Sequence, residues 1–104
     1  MGFAVELAVD EAITNIIVHG YANGEGTVRL QVTREGETLA VILRDDAGPF
    51  DVREAPRSDL SLPLAQRPVG GLGVHLIEQS VDEIRYQRSA QGVNELTLLK
   101  KLRS

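Results

Sequence analysis

The feature that most constrains the fold is an apolar stripe near the start of the chain, within the segment Glu6–Tyr21. Its apolar residues recur at steps of three and four, which is the period of an amphipathic α-helix. The stripe comprises Val5, one residue ahead of this segment, and then Val9, Ala12, Ile13, Ile16 and Ile17. Gly20 closes the segment and suits a helix terminus. The pattern therefore predicts a helix whose apolar face must be covered by a sheet.

Two polar side chains of this segment, Glu11 and Asn15, are one helical turn apart and leave the same face of the predicted helix. Leu7, Ala8 and Val18 lie close around them in the helical projection. A carboxylate and an amide framed by apolar residues indicate a polar site with an apolar lining. An ordinary surface pair on an amphipathic helix gives the same pattern, and the helix alone favours that simpler interpretation.

The rest of the chain alternates between strand patterns, turns and a second helix. Thr27–Arg34 alternates apolar and polar residues, as does a strand with one buried face, and a turn at Gly36 follows it. The continuous apolar run in Thr38–Arg44 predicts burial on both sides or a place near the middle of the sheet. The order helix, hairpin, loop, helix, hairpin predicts an α+β fold in a single domain of residues 1–104. We expect a two-layer sandwich with helices on one face of a mainly antiparallel, mixed sheet.

A long stretch without periodicity separates the second strand from the second helix. It contains three prolines between Val52 and Pro68 and ends in the glycine-rich run Gly70-Gly71-Leu72-Gly73. A loop of this length in a small domain is usually functional or disordered. The sequence therefore predicts a mobile lid over residues 52–70.

The composition excludes several classes of function. The absence of cysteine excludes disulfides and thiolate metal sites, and His19 and His75 have no further ligand at close spacing that would make a zinc site. A net charge of −4 and few aromatic residues disfavour binding of nucleic acid. No apolar run approaches the ~20 residues of a membrane-spanning helix, and no signal peptide is evident. We therefore expect no membrane association and a cytoplasmic location.

Three short motifs, each weak alone, together resemble those of a known family. The motifs are Glu11-Ala12-Ile13-Thr14-Asn15 with His19-Gly20-Tyr21, then Asp46-Ala47-Gly48 with Phe50-Asp51, and finally Gly71-Leu72-Gly73. In this order and spacing they resemble the GHKL ATP-binding family of gyrase, heat-shock chaperone ATPases and histidine kinases. Within it, the chain is most similar to the anti-sigma-factor serine kinases. The resemblance covers essentially the whole chain.

The resemblance implies a site for ATP and Mg²⁺. Glu11 would act as the general base, and Asn15 would bind Mg²⁺ through its carbonyl oxygen. Asp46 would accept a hydrogen bond from the adenine amine. Side chains alternate along a strand, so only one of Asp45 and Asp46 can serve the pocket. The remaining nucleotide-binding positions implied are His19, Gly48, Phe50, Gly70, Gly71, Leu72, Gly73 and Thr97.

The function implied by the resemblance is an ATP-dependent serine/threonine protein kinase that acts as an anti-sigma factor. Its partners would be a sigma factor and an anti-anti-sigma protein of the STAS type, which it would phosphorylate. One alternative is a catalytically weak binding module that holds a partner without turning over ATP. A second alternative is the ATP-binding domain of a sensor histidine kinase. The motif that ends in Asn15 and the lack of a phosphoacceptor domain disfavour the second alternative.

Family members usually carry a strand and a helix ahead of the Glu11/Asn15 helix, and these are not part of this sequence. We therefore expect Leu7, Val18 and Phe3 to lack apolar partners within the chain and the outer edge of the sheet to be unpaired. The sequence thus predicts a homodimer that uses these surfaces.

Overall fold

Helices and strands follow each other in the order that the sequence predicts. The structure, a computed structural model, describes residues 3–22, 24–54 and 71–102. In chain order the elements are helix α1 (Phe3–Asn15), a π-helical turn (Ile16–Gly20), strands β1 (Val28–Glu35) and β2 (Thr38–Asp45), a 3₁₀ turn (Val52–Glu54), helix α2 (Gly71–Ser80) and strands β3 (Glu83–Arg88) and β4 (Asn94–Lys101). This arrangement confirms the predicted α+β class.

The four strands form one sheet in the order β1-β2-β4-β3. Every pairing among the described strands is antiparallel, so the mixed character that we expected does not appear there. Strand β2 lies in the middle of the sheet, as its apolar run predicts. Its side chains alternate between buried and half-buried, because helices cover only one of the two faces.

The core lies between this sheet and the two helices, which pack against each other on the same face. Ala8 and Ala12 are fully buried in α1, where their small side chains allow close approach to neighbouring elements. The other buried apolar residues of the core are Val5, Ile16, Leu39, Val41, Leu43, Val52, Ile77, Val81, Leu96 and Leu98. The apolar core of the described chain therefore lies between one layer of helices and one face of the sheet.

The first helix changes from an α-helix to a π-helix before the end that we predicted for it. Helix α1 ends at Asn15, and Ile16–Gly20 continues as a π-helical turn in which the Tyr21 amide donates to the Ile16 carbonyl at 2.9 Å. A π-turn is wider than an α-turn, so it rotates the following side chains out of the apolar stripe. Ile17, which we placed on the stripe, is consequently 42% exposed.

The prediction that β1 buries one face was wrong. Leu30 and Val32 point to the helix side, because they pair with the buried Leu43 and Val41 of β2. They are nevertheless 54% and 45% exposed, since the helices leave this edge strand uncovered. A groove of about 230 Å³ remains there, lined by Glu6, Val9, Asp10, Leu30, Val32 and Val41.

The predicted lid falls largely outside the described residues. Its first residues form the 3₁₀ turn Val52–Glu54, with Val52 buried in the core. Residues 55–70 are not among those described. No helix in the described part of the chain combines the length and the apolar character needed to span a membrane.

Two leucines that face each other across β1 and β2 test this burial pattern. Leu43→Ala should lower the free energy of unfolding by ~2–5 kcal/mol, because it opens a cavity in the core. Leu30→Ala removes the same atoms from an exposed position and should cost less than ~1 kcal/mol. Urea unfolding of both variants measures the difference, and equal losses would contradict the assigned edge.

Candidate functional site

Polar residues gather at the end of the sheet where α1 and β2 finish and β4 begins. Asn15 is the last residue of α1, and Asp45 and Asn94 lie directly opposite each other in the β2–β4 register. The amide of Asp82 donates to the Leu99 carbonyl at 2.8 Å, which fixes the C-terminal end of α2 at the far end of β4. The ten residues of α2, which begin at Gly71, span about 15 Å ahead of that point.

Asn15 carries a buried oxygen with no partner in the described chain. Its side chain is almost fully buried, at 3% exposure, and Nδ2 donates to the Glu11 carbonyl at 2.8 Å. That bond leaves Oδ1 without a hydrogen bond from any described residue. The carboxylate of Glu11, half-buried one turn earlier, also makes no hydrogen bond or ion pair with a described residue. Buried polar atoms are normally satisfied, so Asn15 Oδ1 indicates a place for a ligand.

Asp45 is the carboxylate that faces the covered side of the sheet. It is 5% exposed, and its Oδ1 accepts hydrogen bonds from the Ala47 amide at 3.0 Å and from Asn94 Nδ2 at 2.9 Å. No described residue donates to its Oδ2. One carboxylate oxygen is thus fixed by the protein, and the other is a buried acceptor available to a ligand.

Asp46, which we predicted to bind adenine, has a different environment. It is exposed, and its Oδ1 lies 2.9 Å from the Tyr21 hydroxyl, which also accepts from the Asp46 amide at 3.3 Å. Strand alternation continues through Asp45 to the helix side and leaves Asp46 beyond the strand end. Asp45, and not Asp46, therefore faces the covered side of the sheet, and Asp46 ties the loop after β2 to the end of the first helix.

Asn94 is the residue that the sequence analysis missed. Its buried Nδ2 lies within 3.1 Å of Asp45 Oδ1 and of the carbonyls of Ala47 and Gly48. Its Oδ1 accepts from the Tyr86 hydroxyl and from Arg88 Nη1. Asn94 Nδ2 therefore holds the loop after Asp45, while its Oδ1 is bound to strand β3. The only signal in the sequence was a polar first residue in a strand that pairs with the Asp45 strand.

The loop that follows Asp45 packs against the π-turn. A Cβ placed on Gly20 would lie 3.2 Å from the Ala47 Cβ, closer than most such contacts, so glycine permits this approach. The rings of His19 and Phe50 lie 5.2 Å apart at a tilt of 31°. The two predicted nucleotide-binding rings are thereby brought together beside the site, His19 exposed and Phe50 half-buried.

Tyr21 links the same two segments. Its hydroxyl lies 2.9 Å from the Thr27 carbonyl as well as from Asp46. Burial, and next the hydrogen bond with Asp46, raise the pKa of Tyr21 above its ordinary value. Gly26 must be glycine here, since a Cβ would lie 2.2 Å from the Tyr21 ring. The Tyr21 side chain therefore stays neutral, and its hydroxyl donates a hydrogen bond that helps to hold the two segments together.

The other predicted positions divide into three groups. Thr97 lies on the face of the sheet away from the helices, opposite Ile42 and Arg85, so the structure does not bring it together with the other predicted positions. Gly48 contributes its carbonyl to the Asn94 network. Gly71, Leu72 and Gly73 form the first turn of α2, and Gly70 lies outside the described residues.

An ion pair fixes the start of the predicted lid. Asp51 is buried and accepts hydrogen bonds from the amide and the guanidinium of Arg53, at 2.5 Å for the shortest. Burial raises the pKa of Asp51, but the hydrogen bonds and charge of Arg53 outweigh it and leave this pKa below its ordinary value. Arg53 Nη1 also reaches the Ile84 carbonyl, which ties the segment to β3.

Comparison with known proteins identifies a family over almost the whole chain. The model of the histidine kinase-like ATPase domain matches residues 3–100. The anti-sigma F factor of Clostridium novyi (strain NT) is 34% identical over 103 residues, which cover 96% of this chain and 71% of that protein. The serine-protein kinase RsbW of a Bacillus cereus strain is 30% identical over 95 residues, 82% of this chain and 59% of that protein.

A solved structure has the same fold. The Acinetobacter baumannii histidine kinase AdeS superposes with a TM-score of 0.62 over 97% of this chain, at 16% sequence identity. The matched part is 47% of the AdeS chain. At this identity the likeness concerns the fold alone.

The lowered pKa of Asp51 predicts an acid-dependent loss of stability. A carboxylate with a depressed folded-state pKa stabilises the protein above its ordinary pKa, 3.8, and the contribution disappears as pH falls through the folded-state value. Asp51→Asn should therefore cost about 0.2–1 kcal/mol at pH 7, given the partly exposed Arg53. The cost should stay constant down to pH 5 and shrink below the ordinary pKa.

Thermal melts of wild type and variant between pH 7 and pH 3 measure this difference. Glu83→Gln is the matched control, because Glu83 also pairs with an arginine two residues later but at an exposed position. It should change stability little at any pH. A cost of Asp51→Asn that grows on acidification would contradict the assigned ion pair.

Proposed function

The chain belongs to the histidine kinase-like ATPase domain family, and we propose that it binds Mg-ATP and transfers the γ-phosphoryl group to a serine or threonine of a protein. The observation that carries this proposal is a pair of buried oxygens without partners in the described chain, Asn15 Oδ1 and Asp45 Oδ2. They lie on elements that end at the same edge of the domain. One is a neutral carbonyl oxygen and the other belongs to a carboxylate, which matches two different parts of a nucleotide complex.

Asp45 Oδ2 suits the exocyclic amine of adenine. An ionised carboxylate only accepts hydrogen bonds, and Asn94 and the Ala47 amide already occupy Oδ1. The remaining oxygen would accept from the adenine amine, whereas guanine presents an acceptor at the equivalent position. A buried acceptor that faces another acceptor is left unpaired, so the same geometry would reject guanine nucleotides.

Asn15 Oδ1 suits Mg²⁺. This ion prefers oxygen ligands and usually takes only one or two from the protein, with the rest from water and phosphates. The bond from Asn15 Nδ2 to the Glu11 carbonyl orients the amide so that its oxygen remains available. When bound, Mg²⁺ would neutralise charge on the phosphates.

Glu11 is the proposed general base. Its carboxylate has no partner among the described residues, is half-buried and lies one helical turn before Asn15. A carboxylate free of ion pairs can accept the proton of an attacking hydroxyl. The backbone amides at the start of α2, in Gly71–Gly73, are proposed to bind the phosphates together with Gly70. His19 and Phe50 would border the nucleotide.

The names of the relatives support the choice of partners. An anti-sigma F factor and a serine-protein kinase are both similar over most of this chain. We therefore propose a sigma factor and an anti-anti-sigma protein of the STAS type as partners, the latter as phosphoryl acceptor. A cytoplasmic location and a homodimer belong to the same proposal.

Calorimetric titration with Mg-ATP and with Mg-GTP tests nucleotide binding directly. Heat with ATP and none with GTP is the expected result, and no heat with either, from folded protein, would overturn the proposal. Incubation with γ-labelled ATP and a STAS-type protein then separates the kinase from a binding module. Label on the acceptor supports the kinase, and binding without transfer supports the module.

The two adjacent aspartates provide a matched pair of variants for the adenine contact. Asp45→Asn keeps the shape of the side chain but replaces the acceptor Oδ2 by an NH₂ group, which only donates. ATP affinity should therefore fall at least ~10-fold, which corresponds to the free-energy cost of one unsatisfied buried hydrogen bond. Asp46→Asn changes an exposed carboxylate and should alter affinity less than ~2-fold. A larger loss in Asp46→Asn would instead support Asp46 as the residue that binds adenine.

Variants of Glu11 and Asn15 should separate an effect on the rate of phosphotransfer from an effect on nucleotide binding. Glu11→Gln cannot accept a proton, so phosphotransfer should fall ~10²–10⁴-fold while Mg-ATP affinity stays within ~2-fold. Asn15→Ala should weaken ATP binding in the presence of Mg²⁺ and have little effect in its absence. Equal losses of binding in both variants, with no separate effect on the rate, would contradict these roles.

A further inference from the structure

A row of three residues crosses the sheet at the candidate site. Asp45 lies directly opposite Asn94 in the β2–β4 register, and Asn94 lies directly opposite Arg88 in the β3–β4 register. Asp45 and Asn94 are buried, whereas Arg88 is exposed at the end of β3. Side chains at opposite positions of neighbouring strands are close enough to interact. The row therefore connects an exposed arginine to the buried carboxylate of the proposed adenine contact.

The side-chain amide of Asn94 has donors on one side and acceptors on the other. Its Oδ1 accepts from Arg88 Nη1 at 2.9 Å and from the Tyr86 hydroxyl. Its Nδ2 faces Asp45 Oδ1 at 2.9 Å and two backbone carbonyls of the following loop. A reversed amide would place its oxygen against these acceptors and its NH₂ group against the donors. Tyr86 and Arg88 therefore help to fix which end of the amide faces Asp45.

Arg88 also holds the loop after Asp45 directly. The same Nη1 donates to the Ala47 carbonyl at 3.0 Å, and the Ala47 amide donates to Asp45 Oδ1 at 3.0 Å. Gly92, in the turn after β3, has a φ of +83°, and a Cβ there would lie 3.4 Å from Arg88 Nη2. A cationic donor binds its acceptors more strongly than a neutral one. Arg88 thus restrains Asp45 by two routes, one through Asn94 and one through Ala47.

We propose that Arg88 and Tyr86 are positioning residues for nucleobase recognition, which act on Asp45 through Asn94. They keep Asp45 Oδ1 bound inside the protein and so leave Oδ2 as a fixed acceptor toward the base. The inference rests on the proposed function, in which Oδ2 accepts from the adenine amine. It extends that function to two residues of the edge strand β3, which influence the choice of base without contact with the nucleotide.

A fixed acceptor discriminates between bases more strongly than a mobile one. Adenine presents an amine to Asp45 Oδ2, whereas hypoxanthine presents an oxygen at the same position, which leaves two acceptors facing each other. A carboxylate that can rotate turns away from that oxygen, so both the gain from adenine and the penalty against hypoxanthine become smaller. Loss of the β3 donors should therefore weaken ATP binding and reduce base discrimination, whereas a general loss of structure weakens the binding of both nucleotides equally.

Competition titrations with Mg-ATP and with the magnesium complex of inosine triphosphate (ITP) measure this discrimination. Arg88→Ala should lower ATP affinity ~3- to 10-fold and change ITP affinity less than ~2-fold. Arg85→Ala is the matched control, because Arg85 lies on the same strand but faces away from the helices, where it pairs with Glu83. It should leave both affinities within ~2-fold of wild type. Equal losses for both nucleotides in Arg88→Ala, or the discrimination of Arg85→Ala, would overturn the inference.

A double-mutant cycle tests the route through Asn94. Tyr86→Phe removes only the hydroxyl that donates to Asn94 Oδ1 and should lower the ratio of ATP to ITP affinity ~2- to 3-fold. In an Asn94→Ala background the same substitution should change this ratio less than ~1.5-fold, because the acceptor of the hydroxyl is gone. Equal effects of Tyr86→Phe in the two backgrounds would contradict the route through Asn94.

Hydrogen exchange of the nucleotide-free chain separates failure of this inference from failure of the proposed function. The Ala47 amide, which is bound to Asp45 Oδ1, should exchange at least ~3-fold faster in Arg88→Ala than in wild type or Arg85→Ala, because the loop opens more often. A wild type that binds neither nucleotide would overturn the proposed function and this inference with it. Wild-type ATP binding together with unchanged exchange and unchanged discrimination in Arg88→Ala would overturn the inference alone.

Discussion

The hydrogen bond between Asn94 and Asp45 is the interaction on which the candidate site depends. It joins the last residue of the central strand β2 to the first residue of the adjacent central strand β4, in the protein interior. It also decides which carboxylate oxygen is used internally and which remains for a ligand. A buried donor or acceptor left without a partner costs ~1–3 kcal/mol, so this arrangement is fixed firmly before any nucleotide binds.

The neighbouring segments are held to this same point. Arg88 and Tyr86 on the edge strand β3 bind Asn94, and Arg88 also binds the Ala47 carbonyl. On the other side, Tyr21 and Gly20 bring the π-turn against the loop after β2. The site is thus organised by contacts between segments far apart in sequence, while the catalytic candidates Glu11 and Asn15 are positioned by a single helix.

This division explains how much could be predicted from the sequence. Periodicity located both helices and all four described strands, and the relation of Glu11 to Asn15 follows from one helical turn. The choice between Asp45 and Asp46 required the exact end of β2, where an error of one residue changes the face of the sheet. The role of Asn94 and the exposure of Leu30 depend on strand order, which no local pattern encodes.

A crystal structure of the chain with Mg²⁺ and a non-hydrolysable ATP analogue tests the central claim most directly. The account predicts the adenine amine within hydrogen-bond distance of Asp45 Oδ2 while Oδ1 keeps its bond to Asn94. It also predicts Asn15 Oδ1 among the ligands of Mg²⁺. An adenine bound to Asp46, or a nucleotide that leaves both buried oxygens without partners, would contradict the account.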